Sequence, residues 1–339
     1  MVREAIAKLL DGQDLTADAA RAVLDEIMSG DATDAQIGAV LAALRMKGET
    51  PAEIAGFART MREKCIAIET SRESVIDTCG TGGDALDTFN VSTVAAIIAA
   101  AGGAAVAKHG NVSVSSQCGS ADVLQALGVN IEMSAEHVGQ CLDEIGIGFL
   151  FAPALHPAMK HAMGPRRELG ARTIFNILGP LTNPARARRQ LLGVYAPQLT
   201  EPLATALLEL GAEAALVVHG LDGLDELSTL GETQVSELRD GAVRTYTLRP
   251  EDIGLEAASR EDIAGGTPEE SAALLLEVLG GQPGPRRDIA LLNAAGALVV
   301  AGKAGDLRAG IVEAAEAVDS GAAEEKLEQL REMSAEAEA

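Results

Sequence analysis

Val75-Ile76-Asp77-Thr78-Cys79-Gly80-Thr81-Gly82-Gly83-Asp84 decides how this chain folds. The first half is a short run of strand-forming residues, and the second half is a glycine-rich turn. Asn90-Val91-Ser92-Thr93 follows and opens an apolar stretch of helical length. Strand, glycine turn and helix together open an α/β unit. Such a turn exposes backbone N–H groups and the next helix adds its positive end, which suits a phosphate or pyrophosphate.

The turn by itself leaves several readings open. Gly80-x-Gly82-x-x-Ala85 fits a dinucleotide fingerprint, but that motif needs an acidic residue about twenty positions on. Ala99 to Ala107 contains none. A nucleotide P-loop closes with Gly-Lys-Ser/Thr, whereas here Gly83 is followed by Asp84. A tight turn with no ligand is the plain alternative.

On either side of this stretch the pattern changes. The first 66 residues read as helices: Thr16 starts one and Ser29-Gly30 stops it, Thr33 and Gln36 form a capping box, and Gly48 ends that helix. Thr50-Pro51 with Glu53 opens the next. Leu41, Leu44, Ile54, Phe57 and Met61 recur at helical spacing, so these helices pack together. From Val75 onward strands and helices alternate. Strands are expected at Val75 to Cys79, Ala104 to Ala107, Ile147 to Ala152, Gln190 to Tyr195 and Ala215 to His219. Helices are expected from Val91, from the caps Ser120 and Ser134, and from Thr200. The fold class is therefore α/β with a mostly parallel central sheet beside a small all-helical domain. Asp240-Gly241 marks a hairpin, so part of the sheet is expected to be antiparallel. The last third returns to helices, with fraying expected after Met333. Between Pro157 and Pro184 the text is helical and basic, longer than a simple crossover, and reads as a hinge or lid.

Composition narrows the function. The 339 residues carry a net charge of −23, and only five Phe, two Tyr and no Trp. Duplex binding rests on Lys and Arg and base stacking on aromatic rings, so nucleic acid is excluded as a partner. No apolar run is long enough to span a bilayer. Met1-Val2-Arg3-Glu4 reads as the start of an amphipathic helix rather than a signal peptide, and the expected location is the cytoplasm. The four cysteines form no Cys-x-x-Cys pair and read as buried free thiols. An acidic protein that binds an anion must do so locally, with backbone amides, a few cations and a divalent metal.

Several further segments supply those groups. Asn90, Ser92 and Thr93 exceed what one helix cap requires, and a hydroxyl can also ligate magnesium. Lys108-His109-Gly110-Asn111 is expected just beyond a buried strand, where ligands sit in open α/β sheets. Its alternative is a solvated loop lysine. Val112-Ser113-Val114-Ser115-Ser116 adds hydroxyls. Asp225-Glu226 offers adjacent hard oxygen ligands for Mg²⁺, although carboxylate pairs are common in a chain with 50 acids. Arg166 is a guanidinium suited to a planar carboxylate. His156, His161 and His219 stand isolated, and each reads as a surface or packed histidine.

Taken together these segments resemble the anthranilate phosphoribosyltransferases over nearly the whole chain. The carriers are Gly80 to Asp84, Asn90 to Thr93, Lys108 to Asn111 and Gly119-Ser120-Ala121-Asp122. Others are His156 to Lys160, Arg172-Thr173-Ile174-Phe175-Asn176, Leu178 to Leu181 and Gly223-Leu224-Asp225-Glu226. The resemblance implies a fold shared with pyrimidine nucleoside phosphorylases, Mg²⁺ as cofactor, and a homodimer joined through the helical domains. It implies a helical domain over residues 1–70, with helices from about 160–185 packing on it, and an α/β domain over 71–159 and 186–339. The implied activity joins the amine of anthranilate to C1′ of 5-phosphoribosyl 1-pyrophosphate (PRPP) and expels pyrophosphate.

Residue roles carry over the same way. Gly80, Gly83, Asp84, Thr88, Asn90, Val91, Ser92, Thr93, Lys108, Gly110, Asn111, Ser113, Ser116 and Ser120 would hold PRPP. Ser92, Asp225 and Glu226 would hold the metal. Gly80, His109, Asn111 and Arg166 would face anthranilate, and Lys108 and Arg166 would carry catalysis. Two departures stand out. Many members have more glycine where this chain has Ala85, Leu86 and Asp87, and many have proline one position before Pro165. A nucleoside phosphorylase on the same fold would have no use for the Asp225-Glu226 pair. A non-catalytic nucleic-acid-binding paralogue should be basic and should have lost these residues.

Overall fold

A computed structural model describes residues 1–83, 86–113 and 117–336. The amino-terminal helices are α1 (Val2–Leu10), α2 (Ala17–Met28), α3 (Asp34–Lys47) and α4 (Pro51–Lys64). Their punctuation follows the sequence. The Thr16 side chain accepts from Ala19 N–H, and Thr33/Gln36 and Thr50/Glu53 both close as capping boxes. Buried Leu24, Ile27, Leu41, Leu44, Ile54 and Phe57 form the shared core of this bundle.

The α/β part alternates β1 (Ile76–Gly80), α5 (Val91–Ala101), β2 (Val106–Gly110), α6 (Ser120–Ala126), α7 (Ala135–Glu144) and β3 (Ile147–Phe151). The short helix α8 (Ala152–Leu155) follows, and the basic segment then carries α9 (Lys160–Leu169) and the short α10 (Phe175–Leu178). The alternation resumes with β4 (Arg189–Gly193), α11 (Thr200–Glu209) and β5 (Ala214–Gly220). The hairpin β6 (Thr233–Arg239) and β7 (Ala242–Leu248) then turns at Asp240 and Gly241, both at positive φ. Helices α12 (Pro268–Leu279), α13 (Pro285–Val300), α14 (Leu307–Asp319) and α15 (Ala322–Glu336) complete the chain. The last helix runs past Met333, where fraying was expected.

The sheet order is β3-β2-β1-β4-β5-β6-β7. The first five strands run parallel, and β6 and β7 are antiparallel. The chain builds outward from β1 through β2 to β3, then returns to place β4 on the other side of β1. That reversal makes the carboxyl ends of β1 and β4 the crevice where open α/β sheets bind ligands. Helix α5 is buried on nearly all sides because α13, α14 and α15 cover it. Its continuous Ala, Val and Ile run is therefore a core helix rather than a surface one. On the other face, α11 and residues Ile174 to Leu181 join the bundle core to Cys79, Leu192 and Val217 of the sheet. Helix α9 packs on α2 and α3, contains Pro165, and stops at left-handed Gly170.

One strand differs from expectation in a way that moves the site. The second strand runs from Val106 to Gly110, not from Ala104 to Ala107, so Lys108 and His109 lie inside the parallel ladder opposite Phe149 and Leu150. A lysine is tolerated there because its long stem runs through the core and its ammonium reaches polar atoms at the start of α5.

Candidate active site at the ends of the central strands

Gly80 ends β1 and begins the turn. The turn is tied down at its start: Thr81 N–H donates to Gly193 O at 2.9 Å, and Gly82 N–H donates to Asp225 Oδ2 at 2.8 Å. The sequence suggested that this turn exposes backbone N–H groups, but those of Thr81 and Gly82 are engaged inside the protein. Asp225 lies so close that a Cβ on Gly80 would collide with its carboxylate, and one on Gly193 with its carbonyl. These two glycines are therefore demanded by the approach of the acidic loop. The turn then bends through Gly82 and Gly83, both at positive φ. Asp84 lies outside the described residues.

Beyond the turn, Asp87 takes φ 45°, a left-handed conformation, at a position where glycine would be unstrained. Thr88 bridges to Ala264, in the stretch leading into α12. Asn90 occupies the N-cap position of α5, yet its side chain caps nothing. Its amide nitrogen donates to Cys118 O at 3.2 Å, and its Oδ1 is buried with no partner among the described residues. The same holds for Thr93 Oγ1. Val91 is buried behind them, and Ser92 is half-buried.

Lys108 is 3% exposed. Its ammonium donates to Thr78 O at 2.7 Å and to Ser92 Oγ at 3.2 Å. Burial lowers its pKa from the ordinary lysine value, opposed by the charge of Asp77 and, more weakly, of Glu226. Glu226 thus acts electrostatically on the lysine that touches Ser92, while Asp225 touches the glycine turn. Asp225 reaches the glycine turn from the loop after β5, and Ser92 reaches Lys108 from the start of α5. Among the described residues no cluster of three or more His, Cys, Asp or Glu forms a protein-only metal cage. A cation here would take two carboxylates and a hydroxyl, with its remaining ligands from substrate oxygens, and that donor set suits Mg²⁺.

Gly110 closes β2, and Asn111 N–H donates to Ser120 Oγ at 3.2 Å. Ser120 is the first residue of α6 rather than its cap; Gly119 holds the cap position, and Asp122 accepts from Gly119 and Ser113 N–H. Ser116 lies outside the described residues.

On the opposite side of β2, His109 faces His156, with ring centroids 5.2 Å apart. Burial pushes His109 down to about 3, helped by His156 and Lys108 and opposed by the Gly179 backbone. Burial alone takes His156 down to about 4. Both rings are therefore neutral at physiological pH. Nε2 of His109 and both nitrogens of His156 are buried without partners among the described residues. Arg166, on α9, is half-buried, 6.0 Å from the centre of the Phe175 ring, with its pKa lowered by burial. No carboxylate pairs with it among the described residues.

Sequence reading missed three contributors. Asp77 is fully buried in β1. It accepts from His109 N–H at 3.1 Å and from Asn183 Nδ2 at 2.8 Å, pinning the end of the basic segment beneath Lys108 and His109. Burial raises its pKa, against those hydrogen bonds. A lone acid in an otherwise buried strand was the available signal. His156 was read as isolated because its partner lies far away in sequence. Arg172, in the same segment, donates to Gly83 O at 2.5 Å and stacks 4.2 Å over Tyr195. A cavity of about 160 Å³ lies at the opposite, amino-terminal ends of β1 and β4, between Arg72, Val75, Arg186 and Glu213. Its lining balances three arginines against three glutamates, and none of the unpartnered buried groups described above opens into it.

A helical bundle beside a mostly parallel α/β sheet is the arrangement of the two domains of a glycosyl transferase family. Residues 72–324 match the glycosyl transferase family α/β domain, and residues 3–65 match that family's helical bundle domain. The chain is 57% identical over 328 residues to the anthranilate phosphoribosyltransferase of Symbiobacterium thermophilum, covering 97% of this chain and 96% of that one. Its structure is similar to that of the Thermus thermophilus anthranilate phosphoribosyltransferase, with a TM-score of 0.92 and 45% identity over 98% and 99% of the two chains. The Saccharomyces cerevisiae enzyme in complex with PRPP and Mg matches with a TM-score of 0.89 and 29% identity over 99% and 98%. The chain belongs to the anthranilate phosphoribosyltransferase family.

Proposed function

We infer that this chain transfers the phosphoribosyl group of PRPP to the amine of anthranilate, giving N-(5-phosphoribosyl)anthranilate and pyrophosphate. The observation that carries this reading is the meeting of Asp225 with the glycine turn, and of Lys108 with Ser92, at the switch point of the sheet. The donor lies along the turn and the start of α5. Asn90 Oδ1 and Thr93 Oγ1, buried without partners among the described residues, are free to bond it, and the resemblance adds Gly83, Asp84, Thr88, Val91, Gly110, Asn111, Ser113, Ser116 and Ser120 as donor-binding residues. Asp225, Glu226 and the Ser92 hydroxyl hold Mg²⁺, which when bound offsets charge on the leaving pyrophosphate. Lys108 adds a fixed positive charge on the same side, preorganised by Thr78 O and Ser92 Oγ.

The acceptor lies between Gly80, His109, Asn111 and Arg166, with the guanidinium on its carboxylate. An aryl amine is already nucleophilic, so attack at C1′ on the face opposite pyrophosphate needs no strong base. The neutral His109 and His156 are consistent with that. Rate enhancement comes mainly from positioning and electrostatics. The basic segment, residues 157–184, serves as a hinge that closes the two substrates together and excludes water.

In this reading the helical domain spans residues 1–70 with α9 and α10 added, and the rest forms the donor domain. Exposed Leu10, Met46 and Met163 lie on α1, α3 and α9. Those exposed apolar side chains, on helices that pack on one another, support a homodimer formed through the helical domains. The enzyme works in the cytoplasm; among the described residues no helix is long and apolar enough to cross a membrane. Mixing protein, Mg²⁺, PRPP and anthranilate should make anthranilate fluorescence fall, and omitting the metal should stop it. Persistent fluorescence with metal present would refute the assignment.

A further inference from the structure

The mechanism above leaves Arg172 without a task, although its side chain joins the basic segment to the glycine turn. Its guanidinium donates to Gly83 O at 2.5 Å and lies 4.2 Å over the Tyr195 ring. Tyr195 is itself tied to the turn, its N–H donating to Thr81 Oγ1 at 3.0 Å. Arg172 therefore sits between two points on the donor side. Its own backbone belongs to the acceptor side: Gly170 ends the helix that carries Arg166, and Thr173 N–H donates to Asn176 Oδ1 at the head of α10. Only Gly170 and Ala171 separate Arg172 from α9.

Gly83 needs such a restraint. It has positive φ and no side chain, so its peptide has more accessible orientations than any other residue would allow. A charge-assisted hydrogen bond to its carbonyl selects one of them. The stack on Tyr195 removes rotamer freedom from the arginine and so sharpens the hold. Arg172 is exposed, and its loss should therefore disturb packing little.

We propose that Arg172 is a positioning residue for the sugar donor, holding the Gly83 peptide in its binding orientation and linking the donor turn to the helix that carries Arg166. It acts through Gly83 and does not itself touch the reacting atoms. The inference rests on the donor and acceptor placement argued above.

The test is calorimetric titration of PRPP with Mg²⁺ into the full-length protein and its variants, alongside steady-state kinetics and melting temperature. Arg172→Ala should weaken donor binding about tenfold, the loss of one charge-assisted hydrogen bond. The KM for anthranilate should stay within about twofold, because the acceptor's own groups are intact. Arg172→Lys keeps a cation and a donor and should recover part of the loss. Tyr195→Leu removes the stacking ring and should weaken donor binding in the same direction by a smaller factor. Unchanged donor affinity in Arg172→Ala, equal shifts in both KM values, or a lysine variant no better than alanine would overturn the proposal. If the parent protein binds donor but consumes no anthranilate, the assignment of the reaction fails while the Arg172 comparison still stands.

Discussion

The helical bundle and the strand ends both bury polar groups, and they treat them differently. In the bundle, Glu53 is fully buried and fully engaged. It accepts from Leu15 N–H at 2.9 Å, Thr50 N–H at 2.8 Å, Thr50 Oγ1 at 3.0 Å and Lys47 Nζ at 2.9 Å. At the strand ends, Asn90 Oδ1, Thr93 Oγ1, His109 Nε2 and both His156 nitrogens are buried with no partner among the described residues. A buried polar atom left unpaired costs stability. The bundle has removed that cost, whereas the strand ends carry it where the donor and acceptor are placed. In the proposed reading, the contrast separates residues that hold the fold from residues held ready for substrate.

The largest expected effect tests the first half of the contrast. Glu53→Ala leaves the Leu15 and Thr50 N–H groups without their acceptor and Lys47 with only Asp14 as a carboxylate partner, and should cost about 2–5 kcal/mol of stability. Denaturant titration should show that loss, with kcat/KM unchanged at a temperature where the variant stays folded. A variant as stable as the parent would show that the carboxylate is dispensable. Lys108→Ala should do the reverse. By analogy with removal of one preorganised electrostatic group, kcat should fall about 10²–10³-fold, while the melting temperature should not drop as it does for Glu53→Ala. Arg166→Ala should raise the KM for anthranilate about 10–100-fold, as expected for lost charge-assisted hydrogen bonds, and raise the KM for PRPP far less. Equal effects on both would contradict its placement on the acceptor side.

Acid gives a smaller and graded test. His109 and His156 titrate at about 3 and about 4 in the fold, against 6.5 for a free histidine. Between those values the unfolded chain binds more protons, so their contribution is complete above pH 6.5 and is lost as pH falls toward 4. At a pH of about 5 each should have lost roughly 2 kcal/mol. Melting temperature measured from about pH 7 down to about pH 5 should fall, and His156→Gln should flatten the slope; an unaltered slope would mean the ring is not held neutral by burial. The smallest effect is expected at Asp87. Its φ of 45° suits glycine, so Asp87→Gly should change stability by less than about 1 kcal/mol. A large loss would show that the carboxylate itself is needed there.

Much of the fold was readable because its signals are short-range. Thr16, Thr33 and Thr50 cap helices through bonds spanning three residues. Asp240-Gly241 adopts the positive φ values that this pair announces. The second strand was misplaced for a related reason: apolar text ends at Ala107, and only pairing with β3 carries the ladder on through Lys108, His109 and Gly110. Asp84 and Ser116 fall outside the described residues, so their expected roles rest on the resemblance.

Composition, periodicity and turn chemistry were enough to specify an acidic protein with a helical domain and a mostly parallel α/β domain, and to suggest a local anion grip, because each depends on neighbours along the chain. Which distant atoms meet is a matter of strand order and crossover. Asp225 reaches Gly82 across 143 positions, His156 reaches His109, Asn183 reaches Asp77, and Arg172 reaches Gly83. Those meetings exist only once the parallel strands have aligned their carboxyl ends, and no local pattern encodes them.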